Sequence, residues 1–152
     1  MDESRQQLIN TWLRNQEANM QIFEEIDELN GINQEVKKVI YSQFAHIHTI
    51  RIYNIEKQDK KNMNQIIKIS GKDASNYRLV RKQLSLSANA IAKIVKEKNN
   101  FYKIKSYSDG CIGWIVYLIN HESHHRSKVI SMLKEQGFKF SKRLKFDLWN
   151  WK

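Results

Sequence analysis

The complete absence of proline is the feature that most restricts how this chain can fold. None of its 152 residues is proline and only five are glycine. Proline breaks the interior of a helix and glycine loosens it, so the sequence predicts an almost entirely helical protein. Because 41% of the residues are hydrophobic, a chain of this length can bury a substantial core. We expect one domain covering residues 1–152.

Apolar periodicity and capping residues predict four long helices. The predicted helices cover about residues 3–29, 34–57, 74–98 and 114–137, and residues 108–110, Ser-Asp-Gly, offer the cap of the fourth. We expect the pair Asn30-Gly31 to stop helix 1, Asn33 to cap helix 2, and Asp73 or Ser75 to cap helix 3. The connection between helices 2 and 3, residues 58–72, is rich in lysine and asparagine and is long enough to cross from one end of a bundle to the other.

The C-terminal tail, residues 138–152, is rich in aromatic and other apolar residues outside the predicted helices. These residues are Phe140, Leu144, Phe146, Leu148, Trp149 and Trp151. Exposed aromatic side chains at this density are unusual. We therefore expect the tail to fold back over the bundle or to join a partner chain.

Helix 1 carries two polar residues in the middle of an otherwise apolar stripe. Leu8, Trp12, Phe23 and Ile26 would face the core, but Asn15 and Asn19 lie between them on the same face. One interpretation is a polar pocket in the core, with room for water. The other is a slightly rotated helix that uses Leu13, Ala18 and Met20 instead, and the sequence does not decide between them.

The fourth helix presents histidines on its inner face. Every third or fourth residue from Trp114 gives one stripe, which consists of Trp114, Leu118, His121, His125, Val129 and Met132. An unpaired imidazole is costly to bury, whereas two imidazoles four residues apart can bind one metal ion. The alternative is that these histidines are hydrogen-bonded core residues.

Helix 2 offers a third ligand. His46 lies on a stripe with Val39, Gln43, Ile50 and Tyr53, and His48 lies on a stripe with Tyr41, Ala45, Ile52 and Ile55. Each stripe is a plausible buried face, so periodicity does not choose between the two histidines. Imidazole ligands suit zinc, nickel, copper and iron. Three protein ligands with an open position are typical of catalytic zinc. The single cysteine, Cys111, rules out both a thiolate cluster and an intrachain disulfide, and its expected role is structural.

Other polar residues of helix 4 are expected to play smaller parts. His124 falls at the edge of the stripe, where a role beside the ligands or at an interface is expected. Glu122 and Arg126 are four residues apart and are interpreted as an ordinary surface or interface pair. If the site is catalytic, Glu122 is a weak candidate for a general base.

The net charge of +10 raises the question of nucleic-acid binding. Residues 1–36 contain eight acids and two arginines, a charge of −6, so the remainder carries +16. The basic residues are mostly scattered lysines, and no dedicated nucleic-acid function is expected.

The N-terminus lacks the basic and apolar regions of a secretory signal, and no apolar run approaches the length of a membrane span. A reducing, cytoplasmic setting is therefore expected.

Three segments resemble the DinB/YfiT-like superfamily. Residues 120–137, NHESHHRSKVISMLKEQG, resemble its His-x3-His signature, although the glycine usual after the arginine is Ser127 here. Residues 43–54, QFAHIHTIRIYN, resemble its first histidine motif, with the following aromatic displaced to Tyr53. Residues 144–151, LKFDLWNW, resemble its Leu-Trp-x-Trp ending.

The resemblance implies an all-α, four-helix bundle with up-down-down-up order, often a homodimer, with the aromatic tail packed on the bundle. It implies a divalent metal, zinc or nickel, bound by His46, His121 and His125. Relatives include thiol-dependent enzymes, so we expect an S-transferase that activates a low-molecular-weight thiol, or a related hydrolase-like activity. The alternative is a non-enzymatic, stress-associated bundle that binds nucleic acid or a protein partner through its basic surface.

Overall fold

Five α-helices make up nearly all of the regular structure in the described part of the chain. The computed structural model describes residues 2–29 and 31–149, the last four of these by their backbone alone. The helices are α1 (Glu3–Glu28), α2 (Gln34–Asp59), α3 (Tyr77–Glu97), α4 (Gly110–Glu135) and α5 (Lys142–Trp149). Short 3-10 turns at Lys60–Met63 and Asp73–Ser75 interrupt the connection between α2 and α3. None of the described helices combines the length and the apolar character needed to cross a membrane.

The four long predicted helices are confirmed, with one clear error at the start of α3. Asn33 caps α2 as predicted, since its side chain accepts a hydrogen bond from the backbone N–H of Glu35. The predicted caps of α3, Asp73 and Ser75, are wrong: α3 begins at Tyr77, and Asn76 caps it by accepting from Leu79 N–H. Asp73 and Ser75 form their own 3-10 turn, which Asp73 stabilises by bonding to Ser70.

The ends of the predicted helices depend on glycine where the chain turns. Gly137 has a φ of 80°, and the next N–H, that of Phe138, bonds back to Leu133 O, so this glycine ends α4 as predicted. Gly31 has a φ of 85° and lies in the turn after α1, as the predicted stop requires. Its partner in that prediction, Asn30, lies outside the described residues.

The bundle contains two apolar clusters, one toward each end. Both α1 and α2 pack against both α3 and α4. The first cluster includes Trp12 of α1, Ile55 of α2, Val95 of α3 and Trp114 of α4. The second includes Phe23 of α1, Phe44 of α2, Val80 of α3 and Leu133 of α4.

A polar layer lies between the two clusters. Its buried members are Asn15, Gln16 and Asn19 of α1, His48 and Arg51 of α2, Gln83 and Ser87 of α3, and Glu122 and Arg126 of α4. The layer confirms that the polar face of α1 points inward. Of the alternative set, Leu13 is wrong because it is 40% exposed, whereas Ala18 is buried and Met20 packs against the second apolar cluster.

The described part of the C-terminal tail folds back onto the bundle, as one of the two predictions states. Leu144 is buried, and Phe138 and Phe140 pack against the second apolar cluster. Ser141 anchors the tail to α1, because its N–H and hydroxyl both donate to the Glu25 carboxylate, at 2.7 and 2.9 Å. The side chains of residues 146–149, and Trp151 itself, lie outside the described part of the chain.

Candidate metal centre

Three histidines converge where α2 and α4 pack together. One ligand nitrogen from each of His46, His121 and His125 can be chosen so that all three lie within 4.8 Å of one another. Their ring centroids are separated by 4.6 Å (His121–His125), 4.7 Å (His46–His125) and 5.4 Å (His46–His121). The structure thus brings together the three residues that the resemblance implies as ligands.

The cluster lies at the level of the polar layer but on its outer side. His125 is only 8% exposed, His121 is half-buried and His46 is exposed. The cluster therefore has a closed side toward the core and an open side toward solvent. A bound ion could be held from within and reached by a small molecule from outside.

His48, the other candidate on α2, points away from this cluster. It is fully buried; its Nε2 lies 2.8 Å from Ile67 O and its Nδ1 lies 3.1 Å from the Ser87 hydroxyl. Both ring nitrogens are therefore occupied. The geometry resolves what periodicity left open, since only His46 can approach His121 and His125.

Gln43 fixes the orientation of His125. The Gln43 side-chain oxygen lies 2.8 Å from Nδ1 of His125, so that nitrogen carries the proton and donates it. The lone pair of the imidazole is then at Nε2, which points toward His121. Metal-binding histidines usually have such an outer partner for their second nitrogen.

The spacing of one pair of these nitrogens fits a tetrahedral ion. The Nε2 atoms of His121 and His125 are 3.2 Å apart. Zinc–nitrogen bonds of about 2.0–2.1 Å at tetrahedral angles place two ligand nitrogens about 3.3 Å apart. Without an ion, a single proton must be shared between these two nitrogens, and Nδ1 of His121 is then a buried atom with no hydrogen-bond partner among the described residues. The donor set, three imidazoles without a thiolate, suits zinc, nickel, copper or iron.

Burial keeps the two α4 histidines neutral. Burial, the neighbouring histidines and Lys128 together lower the pKa of His125 to about 4. Burial also lowers the pKa of His121, and His46 adds to this effect. Metal binding requires the neutral form of imidazole, so these two histidines are already in the binding form at neutral pH.

Behind the histidines, Glu122 is buried, which contradicts its interpretation as part of a surface pair. Glu122 is 1% exposed, and Arg51 donates to both of its oxygens at 2.7 and 2.8 Å. Asn15 and Asn19 donate to Glu122 Oε2 as well, at 2.6 and 2.7 Å. With all these bonds made inside the core, Glu122 is also excluded as a general base for a solvent-facing site.

Arg126 completes the same network and is likewise buried. It is 7% exposed, and its Nη1 donates to the side-chain oxygens of Asn15 and Asn19 at 2.7 and 2.8 Å. Burial lowers the pKa of Arg126, whereas nearby Glu122 opposes that shift. The two asparagines thus join a carboxylate to a second guanidinium, so the predicted pocket of α1 is polar and is filled by side chains.

Sequence reasoning missed two residues that support the site. Arg51 was not singled out, although it lies on the buried stripe three residues after His48, where a charge needs a partner. Gln43 was placed on the stripe of His46 but given no role.

Cys111 is fully buried in the first apolar cluster, away from the histidines, in agreement with a structural role. His124 is exposed, and its ring lies against that of His125 at 5.5 Å.

Comparison of the chain with protein-family models, curated proteins and solved structures gives no match. The resemblance to the DinB/YfiT-like superfamily therefore stays a prediction. The class that the fold and the site define is an all-helical protein whose bundle carries three clustered histidines able to hold a metal ion.

Proposed function

We propose that this protein binds a divalent metal ion, zinc or nickel, through His46, His121 and His125. The observation that carries the proposal is the convergence of three imidazole nitrogens within 4.8 Å of one another. They lie along the line of contact between α2 and α4, here called the seam, which is open to solvent on one side. Three protein ligands leave a fourth position for water or substrate, as in catalytic zinc sites. The bond from Gln43 to His125 adds the outer support that such sites use.

The chemistry we propose is activation of a low-molecular-weight thiol for S-transfer. A divalent ion at this place supplies Lewis acidity, which favours a bound thiolate or hydroxide over its protonated form. The three histidines would hold the ion and leave its fourth position open toward solvent, on the side where the exposed His46 lies. A hydrolase-like reaction with water as nucleophile would use the same position.

We further propose that the chain is related to the DinB/YfiT-like superfamily. The two apolar clusters support this, because early residues of α1 and α4 share a cluster with late residues of α2 and α3. That pairing is what an up-down-down-up bundle requires. A homodimeric state and a link to stress responses come from the resemblance alone, and analytical ultracentrifugation would test the first of them.

Elemental analysis of protein purified without a histidine tag tests the metal proposal. We expect close to one equivalent of zinc or nickel per chain, and almost none in a His125→Ala variant. His124→Ala is the matched control, because His124 is the neighbouring residue on the same helix and lies outside the cluster. Stoichiometric metal in His125→Ala would overturn the ligand assignment.

A cobalt-substituted protein tests the thiol proposal separately. Binding of a thiolate to cobalt adds a sulfur-to-metal charge-transfer band to the absorption spectrum. We expect reduced glutathione to produce this band and S-methylglutathione not to produce it. A cobalt spectrum that does not respond to glutathione, cysteine or other small thiols would leave the metal site standing and remove the thiol from the proposal.

The positive charge of the chain favours one rival, a non-enzymatic protein that binds nucleic acid. The net charge is +10, and lysine and arginine side chains bind phosphates in a salt-dependent manner. Salt-sensitive DNA binding that persists when all three histidines are replaced by alanine would support the rival. The metal proposal predicts no measurable binding at physiological salt.

A further inference from the structure

A group of three tyrosines lies next to the histidine cluster along the same seam. On α2, Tyr53 follows His46 by seven residues, and on α4, Tyr117 precedes His121 by four, so each tyrosine shares a helix face with a histidine. The Tyr117 ring is nearly parallel to that of His121, at 24° and 6.4 Å between centroids. Tyr107, from the loop before α4, lies 5.7 Å from Tyr117. We call Tyr53, Tyr107 and Tyr117 the tyrosine wall.

The middle member of the wall is held rigidly. The Tyr107 hydroxyl donates to Asn54 Oδ1 at 3.1 Å, and Trp114 Nε1 donates to the same oxygen at 3.0 Å. Burial raises the pKa of Tyr107, and nearby Tyr117 and Tyr53 add to this, so the hydroxyl stays protonated and keeps donating.

The loop that carries Tyr107 is also fixed in place. Gln58 makes two hydrogen bonds to the backbone of Lys105, at 2.8 and 3.0 Å. Ser106 has a φ of 72°, which is uncommon for a residue other than glycine. Strained backbone of this kind is found where a neighbouring side chain must be held in one position.

The outer rings of the wall are nevertheless exposed. Tyr53 is 60% exposed and Tyr117 is 43% exposed. An aromatic side chain covers about 150–250 Å², so these two exposed fractions together equal roughly one such side chain. This area is far below the roughly 800 Å² that each partner contributes to a stable protein interface. A rigid, exposed aromatic surface of this size, next to the proposed metal centre, suits a small molecule.

We propose that the tyrosine wall is the subsite for the planar aromatic part of a small anionic ligand whose donor atom binds at the histidine cluster. The inference rests on the metal centre proposed above. A divalent ion among three neutral imidazoles leaves net positive charge, which selects an anionic donor. The row of rings that begins with the stacked pair His121 and Tyr117 and ends at the tilted Tyr107 ring then offers aromatic surface beside that donor. One aromatic pair contributes a preference of about two- to tenfold in affinity.

Two hydroxamates with the same metal-binding group test the subsite. Benzohydroxamate has a planar ring, and cyclohexanecarbohydroxamate has a saturated ring of similar size. We expect the cobalt-substituted full-length protein, titrated by absorption spectroscopy, to bind benzohydroxamate about two- to tenfold more tightly. Tyr117→Leu and Tyr53→Leu should each reduce the preference while the cobalt spectrum of the ligand-free protein is retained. Tyr102→Leu is the matched control, because Tyr102 lies in the same loop as Tyr107 and is 69% exposed. Its ring packs edge-on against Phe101.

The outcomes separate this inference from the metal proposal. Equal affinities for the two hydroxamates, or a full preference in Tyr117→Leu, would overturn the subsite and leave the metal centre intact. If the protein without any amino-acid change gives no cobalt spectrum, both the subsite and the metal centre are overturned. Light scattering is measured on the same samples: a dimer that becomes a monomer in Tyr117→Leu would show that a second copy covers the wall, and would also overturn the subsite.

Discussion

At the scale of single residues, Gln43 decides which nitrogen of His125 is free to bind a metal. Its side-chain oxygen accepts from Nδ1 and so leaves the lone pair at Nε2. Gln43→Leu should weaken zinc binding by about 10- to 100-fold, the usual cost of losing such a partner. Competition with a chromophoric chelator measures the affinity. Gln43→Glu keeps an acceptor in the same place and should bind zinc at least as well as the unsubstituted protein, and equal affinities in all three proteins would refute this role.

The ion pair between Arg51 and Glu122 supports the fold rather than the chemistry. Removal of one member of a buried pair leaves the other charge without compensation, at a cost of about 3–5 kcal/mol. We expect Glu122→Gln to lower the free energy of unfolding, measured with urea, by about that amount. Glu24→Gln is the control, because Glu24 pairs with Arg81 at the surface and such pairs contribute only about 0–1 kcal/mol. Similar losses in both variants would contradict the assignment.

These residues also show how far the sequence could predict the site. The pair His121 and His125 follows from helical periodicity, because residues four apart share a face. The burial of Glu122 and Arg126 does not follow, because their partners Asn15, Asn19 and Arg51 come from other helices. The two asparagines were the one visible sign of a polar layer in the core.

At the scale of elements, α2 has two histidine faces with different functions. The stripe that contains His48 faces the core, whereas on the stripe of His46 Val39 is 46% and Tyr53 60% exposed. The sequence could not distinguish the two stripes, because both carry apolar and aromatic residues. Such residues surround a site at the edge of the contact between two helices just as they fill a core. The start of α3 was misplaced for a similar local reason: Asp73, Ser75 and Asn76 are all good capping residues, and only tertiary packing selects Asn76.

His48 makes the attachment of the α2–α3 connection sensitive to pH. Burial lowers the pKa of His48, and nearby Arg51 lowers it further. The hydrogen bond to Ile67 O acts in the opposite direction and raises this pKa. The unfolded chain accepts a proton near pH 6.5, whereas folded His48 accepts one only at lower pH. The stabilisation is therefore complete above about pH 6.5 and is lost as the pH falls toward the lowered pKa.

We therefore expect the free energy of unfolding of the metal-free protein to fall less steeply with acid in His48→Gln. Urea denaturation between about pH 6.5 and 4.5 measures the slope, since this range lies at and below the ordinary pKa of histidine. The exposed histidine in His124→Gln provides the control, which should keep the slope of the unsubstituted protein. Identical slopes in all three proteins would show that His48 does not titrate with unfolding.

At the scale of the whole molecule, the histidine cluster joins two helices that are distant in sequence. His46 and His125 are 79 positions apart, so an ion held by both stabilises the packed bundle and not the unfolded chain. Zinc at 100 times its dissociation constant should add about 2.7 kcal/mol, which corresponds to a rise in Tm of about 5–10 °C for a chain of this size. Calorimetry should show this rise, its reversal by EDTA and its loss in His46→Ala. An unchanged Tm in zinc-loaded protein would contradict the coupling.

X-ray absorption spectroscopy at the zinc edge of the metal-loaded protein tests the central claim most directly. We predict three imidazole nitrogens at about 2.0–2.1 Å, identified by the multiple scattering of their rings, and one further oxygen ligand at the open position. His124→Ala should give the same spectrum, and His46→Ala should lose one imidazole or all of the metal. A first shell without three imidazoles, or a zinc-saturated spectrum unaffected by replacement of His46, His121 or His125, would contradict the account.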